Sequence, residues 1–394
     1  MTAQNNQPQR WHNYLLERGD NLRAFWEQHL NNRERRLLVI LAKGFDPRMC
    51  RGLDMLLSLQ KKGTCDVALV EFNEGPTSPS RNYSQLVEEN MRKLEGLMNG
   101  RGAIHCYPIA MRSDDGRRIA SQNALNIFKK RSDLGDYTDI VLDISSAPRG
   151  VYLPLTAKIL HLLDESPSCG EQPRVNFHLL VWEDSDLDAR IQDDGVEERA
   201  DYISPFRGAM DREATASQPR IWIPLLGEGQ RIQLERIHVH VAPDEICPVL
   251  PSPARNPRRG DNLVVEYHDL LFDSWRIEPR NLIYCAEQNP FEAYRQITHA
   301  ICAYRESFAP LGGAKFVVSA LSSKLLSIAT LLVAYDFKKL GVEIGVANLD
   351  CHGYKFQTEA AATTGELFGL WLTGEWDAPW GQSPGPESLN SQPK

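Results

Sequence analysis

The side chains best placed to do chemistry follow a short apolar run at residues 137–142. Asp143, Ser145, Ser146 and Arg149 lie within seven residues of one another, and an apolar helical pattern comes next. Hydroxyl groups, a guanidinium that binds two oxygens at once, and the unpaired amides of a helix start are the donors that hold phosphate groups. The spacing therefore predicts a binding site for a phosphate-bearing ligand.

A similar polar turn follows the apolar run at residues 37–42. Its candidate site residues are Lys43, Gly44, Phe45, Asp46 and Arg48. Loops after the first and fourth strands of a doubly wound sheet can share its C-terminal edge, so we expect this turn to face the one that carries Arg149. The cations would make the pocket locally positive although the chain carries a net charge of −8.

Helix capping is the alternative explanation for several of these side chains. Ser145, Ser146 and Asp46 are residue types that accept hydrogen bonds from first-turn amides, and Arg149 could pair with Asp143 or with Asp46. Capping does not call for a cation at a helix N-terminus, where the helix dipole disfavours one. Arg149 is therefore the strongest indication of an anionic ligand.

The second half of the chain repeats this arrangement. Ser322, Ser323 and Lys324 follow a predicted strand at 315–319 and precede a predicted helix at 325–340. Lys324, like Arg149, is a cation at a helix start. A duplicated Rossmann-like unit would place the two Ser-Ser turns side by side across a pseudo-twofold axis.

The first turn resembles a known family signature. In CARF domains, the CRISPR-associated Rossmann-fold sensors, the fourth strand ends in Asp or Asn, followed after one residue by Ser or Thr and after three more by Arg or Lys. Asp143, Ser145 and Arg149 match all three positions. The resemblance implies binding of cyclic or linear oligonucleotide messengers through the loops after the first and fourth strands, and related SAVED proteins fuse two such units.

The second half departs from that signature. Val318 and Ala320 stand where the acid and the hydroxyl would be, and Lys324 alone is kept, with Ser322 and Ser323 before it. The resemblance therefore implies a site whose two halves differ chemically.

Composition limits the function classes. The chain has 394 residues, of which 42% are hydrophobic and 24% charged, and no apolar run approaches the ~20 residues of a membrane span. Residues 1–9 lack the apolar core of a signal peptide, so a cytoplasmic location is expected. The eight cysteines are scattered singly, which predicts neither structural zinc nor disulfides. The acidic net charge predicts no sequence-specific nucleic-acid binding.

The alternation of apolar runs and helical patterns predicts an α/β fold: two Rossmann-like parallel-sheet domains in tandem, with an antiparallel hairpin insertion between them. The predicted units are a helical extension at 1–36, a Rossmann-like domain at 37–190, an insertion at 191–260, a second, smaller Rossmann-like domain at 261–373 and a disordered tail at 374–394. Within the insertion, residues 220–226 and 232–241 would form the hairpin and 243–259 a proline-rich linker. Further predictions are a strand at 262–267 and a last helix at 360–372.

Three functions remain open. The first is a nucleotide-sensing regulatory subunit of a prokaryotic defence-type system that acts through a separate effector protein and needs no cofactor. The second is an enzyme that cleaves the nucleotide through its ribose 2′-hydroxyl without a metal, with His105 or His161 as candidate general bases. The third is a scaffold subunit. The sequence lacks the glycine-rich motifs of dinucleotide oxidoreductases and P-loop ATPases.

Overall fold

The structure is a computed structural model that describes residues 10–75, 78–165, 174–207, 210, 215–357 and 365–375. The described strands are β1 (Leu15–Arg18), β2 (Arg36–Ala42), β3 (Thr64–Asn73), β4 (Ile104–Ala110), β5 (Asp139–Asp143), β6 (Asn176–Glu183), β7 (Ile191–Asp193), β8 (Asp201–Tyr202), β9 (Arg220–Leu225), β10 (Glu245–Ile246), β11 (Val249–Pro251), β12 (Ile283–Cys285), β13 (Lys315–Ala320), β14 (Ile344–Asn348), β15 (Tyr354–Phe356) and β16 (Glu366–Thr373). The described α-helices are α1 (Gly19–Asn31), α2 (Arg51–Leu59), α3 (Ser84–Met98), α4 (Ala120–Leu125), α5 (Arg149–Asp164), α6 (Ser185–Arg190), α7 (Arg231–Val241), α8 (Arg259–Glu266), α9 (Pro290–Phe308) and α10 (Lys324–Lys339).

Two mixed, mainly parallel sheets form the framework. The first has the order β1-β16-β6-β5-β2-β3-β4, in which β6 to β4 run parallel and the β1–β16 edge runs antiparallel. The second has the order β12-β11-β9-β13-β14-β8, with β10 also paired to β9 and only β8 antiparallel. The molecule is therefore a mixed α/β protein, as the sequence predicts.

Helices α5 and α10 bring the two sheets together. Residues 325–337 of α10 are all buried, and most of α5 is buried as well. A helix that is apolar on every side must be covered on every side. The two helices contact each other, and both belong to one hydrophobic core that also contains strands of both sheets. Their N-termini, which carry Arg149 and Lys324, are thereby fixed relative to one another.

The predicted hairpin insertion is wrong. Residues 220–225 form β9, a parallel strand in the interior of the second sheet, and 231–241 form helix α7. The apolar residues at 232–241 fit both a two-residue period and a helical one. Leu234, Ile237 and Val241 are buried at helical spacing, while Ile232 and Val239 are exposed. Burial on one helical face decided between the two periods.

Two other predictions differ from the structure. Residues 262–267, predicted as a strand, belong mostly to α8; Leu263 in this helix and Tyr267 directly after it are both buried, four residues apart. The predicted last helix at 360–372 is instead strand β16 from residue 366 onward, and 358–364 lie outside the described residues. Short apolar runs of this kind do not distinguish helix from strand.

The leading segment, the predicted linker and the last strand also differ from expectation. The leading segment at 10–36 contains strand β1 before α1 begins. The predicted linker at 243–259 contributes β10 and β11 to the second sheet. Strand β16, near the end of the predicted second domain, pairs with β6 of the first sheet. The domain limits stay a prediction, and of the predicted tail only Gly374 and Glu375 are described. Among the described residues, no helix combines the length and apolar character that a membrane span requires.

Candidate functional site

The two Ser-Ser turns lie against each other. Arg149, the first residue of α5, donates a hydrogen bond from Nη2 to the backbone carbonyl of Ser322. Lys324, the first residue of α10, donates from Nζ to the backbone carbonyl of Ser145. Each cation thus binds the other turn. We refer to residues 145–149 and 322–324 as the paired turns.

The paired turns open onto a cavity of about 1580 Å³ between the C-terminal edges of the sheets. Most of the predicted site residues line it: Lys43, Gly44, Phe45, Asp46, Arg48, Ser146, Arg149, Ser322, Ser323 and Lys324. Asp143 and Ser145 are buried and are not part of the lining. Ten of the twelve predicted site residues therefore share one concave surface, and the other two lie behind it.

Arg48 is committed to an internal ion-pair network. Its guanidinium donates to both carboxylate oxygens of Asp46, with Nη2 2.8 Å from Oδ2, and its Nη1 lies 2.7 Å from Asp188 Oδ1. The Arg48 side chain is only 2% exposed. Burial acts to raise the pKa of Asp46, but the paired guanidinium outweighs it and holds that pKa below its usual value. A phosphate that bound Arg48 as predicted would therefore have to compete with Asp46 and Asp188 for the guanidinium.

Asp143 and Ser145 hold the first turn in place through hydrogen bonds on its buried side. The backbone amide of Ser145 donates to Asp143 Oδ1 at 2.9 Å, and Ser145 Oγ accepts from the amide of Trp182 at 2.9 Å. Asp143 Oδ2 has no hydrogen-bond partner in the part of the chain that the structure describes, and burial raises the pKa of this carboxyl to about 6. Both side chains are structural in this arrangement.

Capping, which was the alternative explanation for Ser145 and Ser146, occurs instead at Ser323. Ser323 Oγ accepts from the amide of Leu326 at 3.2 Å and so caps α10. Ser146 instead donates to the carbonyl of Ala42 at 3.0 Å, which ties its turn to the end of β2. No side chain caps α5. Lys43 pairs with Glu71 at 2.7 Å.

Lys324 has an electrostatic environment that the sequence did not indicate. Glu183, at the end of β6, accepts from the amide of Leu325 at 2.8 Å and so also caps α10. Burial, and then the nearby Arg48 guanidinium, lower the pKa of the Lys324 ammonium to about 8. Burial and the carboxylate of Asp188 raise the pKa of Glu183. Glu183 and Asp188 come from a strand end and a helix whose side-chain directions the sequence pattern does not give.

The cavity lining as a whole is not cationic. Thirteen aspartates and glutamates line it against nine lysines and arginines. One of these acids, Asp350, lies near the start of α5, since a Cβ at Gly150 would be 3.2 Å from its Oδ1; burial raises the pKa of Asp350. Arg149 and Lys324 differ from Lys43 and Arg48 because neither forms an ion pair with a described carboxylate. Positive charge available to a ligand is thus local to the paired turns.

Comparisons with known proteins do not name the site. No protein-family model and no curated protein matches the chain. One similar solved structure is a protein of Pseudomonas aeruginosa PAO1 described as functionally unknown, with 10% identity, 80% of this chain and 92% of that chain covered, and a TM-score of 0.20. At that score the likeness supports no argument about function.

Proposed function

We propose that this chain is a nucleotide-sensing regulatory protein, built from two Rossmann-like units in tandem, that binds a phosphate-containing nucleotide at the paired turns. The observation that carries the proposal is the position of Arg149 and Lys324. They lie side by side at the starts of two buried helices, on the wall of a large cavity, and bind backbone carbonyls rather than carboxylates.

Carbonyl contacts favour this role because they fix a cation without neutralising it. Arg149 uses Nη2 for Ser322, and a guanidinium carries further N–H donors in a planar fork that suits phosphate oxygens. Lys324 is half-buried against Ser145, so an anion that reached it would be partly shielded from water, which strengthens the attraction.

The size of the cavity favours an oligonucleotide over a mononucleotide. Sites for drug-sized ligands occupy about 300–1,000 Å³, whereas this cavity has about 1580 Å³. An oligonucleotide would place one phosphate at the paired turns and its remaining atoms against the other walls. The acidic residues there would meet ribose hydroxyls and base amino groups, which donate hydrogen bonds to carboxylates.

The sensor part of the proposal rests on the resemblance of the Asp143-to-Arg149 turn to the CARF signature. Sensing would require a separate effector protein. The alternative of nucleotide cleavage has less support, because neither candidate base, His105 or His161, is among the residues that line the cavity. His161 lies 3.2 Å from the Glu165 carboxylate, four residues along the chain.

The test is differential scanning fluorimetry against cyclic di-, tri- and tetranucleotides, linear oligonucleotides and inorganic phosphate. A ligand at 100 times its Kd stabilises the native state by about 2.7 kcal/mol, which gives a clear rise in Tm. We expect one class of oligonucleotide to raise Tm, and Arg149→Met to abolish the rise. The control is Arg280→Met, an exposed arginine absent from the cavity lining, which should keep the response.

Two results would reject the proposal. One is a panel in which no nucleotide changes Tm. The other is a rise in Tm that persists unchanged in a folded Arg149→Met variant. Chromatography of the ligand after incubation separates binding from cleavage, since a regulatory protein returns the nucleotide intact.

A further inference from the structure

Three side chains of the kinds that bind transition metals meet at the end of β5 opposite the paired turns. Asp139 is the first residue of β5, His178 lies on the neighbouring strand β6, and His29 lies in the last turn of α1. Their ligand atoms all lie within 4.8 Å of one another. The side chains are 0%, 2% and 6% exposed, respectively.

The geometry of the two imidazoles suits a shared ion. Their ring centroids lie 5.4 Å apart with an interplanar angle of 72°. Two imidazoles that bind one ion through Nε2 at about 2.1 Å and a tetrahedral angle place their centroids roughly 5 Å apart. Both Nε2 atoms point towards the same carboxylate oxygen, Asp139 Oδ1, at 2.7 Å for His29 and 3.5 Å for His178. Little rearrangement would be needed to accept an ion.

His178 provides an independent indication of a ligand. Among the described residues, the buried Nε2 atom of His178 forms no hydrogen bond of normal geometry, and Asp139 Oδ1 lies 3.5 Å from it. An unsatisfied polar atom in the interior is costly unless something binds it.

The carboxylate is oriented by neighbours, as metal-binding carboxylates commonly are. Thr138 Oγ1 donates to Asp139 Oδ2 at 2.6 Å, and Asn176 Nδ2 donates to Oδ1 at 2.9 Å. These hydrogen bonds hold the Asp139 carboxylate in one orientation beside the two imidazoles.

A buried hydrogen-bond network centred on Arg35 is the competing account of this cluster. Arg35 Nη1 lies 3.5 Å from Asp139 Oδ2 and 3.1 Å from Glu375 Oε1. The guanidinium charge is thus shared with a second carboxylate, so a cation between the histidines would not face an uncompensated positive charge. The network also leaves His178 Nε2 with only the 3.5 Å contact to Asp139 Oδ1, whereas an ion would bind this nitrogen directly.

We propose that His29, Asp139 and His178 bind one divalent transition-metal ion, with Zn²⁺ as the ion best suited to two imidazoles and a carboxylate. The site is separated from the paired turns by the length of β5, roughly 13 Å at the usual rise per residue. None of the three residues lines the cavity. The ion would therefore fasten α1 to β5 and β6, and a fourth ligand such as water would complete a tetrahedral site. Sequence spacing could not indicate this site because its ligands are far apart along the chain.

The direct test is the metal content of the full-length chain. After incubation with Zn²⁺ and dialysis, elemental mass spectrometry should find about one zinc per chain. This is expected for a site at which metal binding is coupled to folding. Removal of zinc with a chelator should lower Tm. Co²⁺ in place of Zn²⁺ should give the visible absorption of a tetrahedral ion.

His178→Gln should lose the zinc and the Co²⁺ absorption, whereas His161→Gln, at an exposed histidine of α5, should retain both. Wild-type protein without stoichiometric zinc and without a Co²⁺ band would overturn the proposal, and that result does not depend on the variants folding. Equal zinc in wild type and folded His178→Gln would also overturn it, since the ion would then lie elsewhere.

Discussion

The ammonium group of Lys324 donates a hydrogen bond to the backbone carbonyl of Ser145, which belongs to the turn at the edge of the other sheet. Arg149 returns the contact to Ser322. Each sheet thus supplies a cation that binds the turn of the other sheet, and neither half of the chain would form the candidate site alone. A ligand at the paired turns would bridge the sheets, which provides a physical route from binding to a change in their relative arrangement.

The first prediction concerns the pH dependence of nucleotide binding. The Lys324 ammonium has a pKa of about 8, so it loses its charge as the pH rises through that value. Loss of one charged hydrogen bond, worth about 1.5 kcal/mol or more, should weaken nucleotide affinity on the order of tenfold. Isothermal titration calorimetry on either side of pH 8 measures the effect. A similar pH dependence in Lys324→Met would contradict this assignment.

The second prediction separates structural cations from ligand-binding ones. Arg48→Met leaves the buried Asp46 carboxylate without its partner, which should reduce the free energy of unfolding by about 3–5 kcal/mol. Lys43→Met removes a partly exposed pair with Glu71 and should cost less than about 1 kcal/mol. Urea unfolding of the two variants gives the comparison. If their losses were equal, Arg48 would not have the structural role that its network indicates.

The sequence predicted which turns lie together better than which partners their charged side chains take. Because parallel strands end at a shared edge, strand order placed the turns at Arg48 and Arg149 together, and the repeat of the Ser-Ser turn in the second half placed Lys324 beside Arg149. The partner of each charged side chain depends on non-local packing, so the commitment of Arg48 to Asp46 and Asp188 was not foreseeable. The same limit applied to residues 232–241 and 366–373, where burial against distant elements decided between helix and strand.

The third prediction tests the packing of α2 against the first turn. A Cβ at Gly52 would lie 2.3 Å from Asp143 Oδ2 and 3.0 Å from Leu180 Cδ1. Gly52→Ala should therefore destabilise the protein by about 1–3 kcal/mol through overpacking. The matched control is Gly96→Ala, in the exposed part of α3, where nothing lies within 4 Å of the added carbon. That change should stabilise the protein by roughly 0.5–1 kcal/mol. Thermal unfolding that showed the same sign for both would refute the packing argument.

The last prediction concerns how stability varies with pH. Burial raises the pKa of Asp143 from 3.8 to about 6, so the folded state binds the proton more tightly than the unfolded state. This contribution to stability is fully present below about pH 4 and is lost as the pH rises through about 6. A shift of this size corresponds to at most about 3 kcal/mol.

Asp143→Asn keeps the shape of the side chain and removes its titration. The free energy of unfolding of the wild type, minus that of Asp143→Asn, should therefore fall as the pH rises from about 4 to about 6 and remain constant above. The difference is needed because burial also raises the pKa of Asp336 to about 6, and that group titrates equally in both proteins. Urea unfolding of both proteins, from about pH 4 to above pH 6, measures this difference in the free energy of unfolding. Parallel curves for the two proteins would show that Asp143 is not the buried, unpartnered carboxyl beneath the first turn, since a group with its ordinary pKa would contribute no such slope.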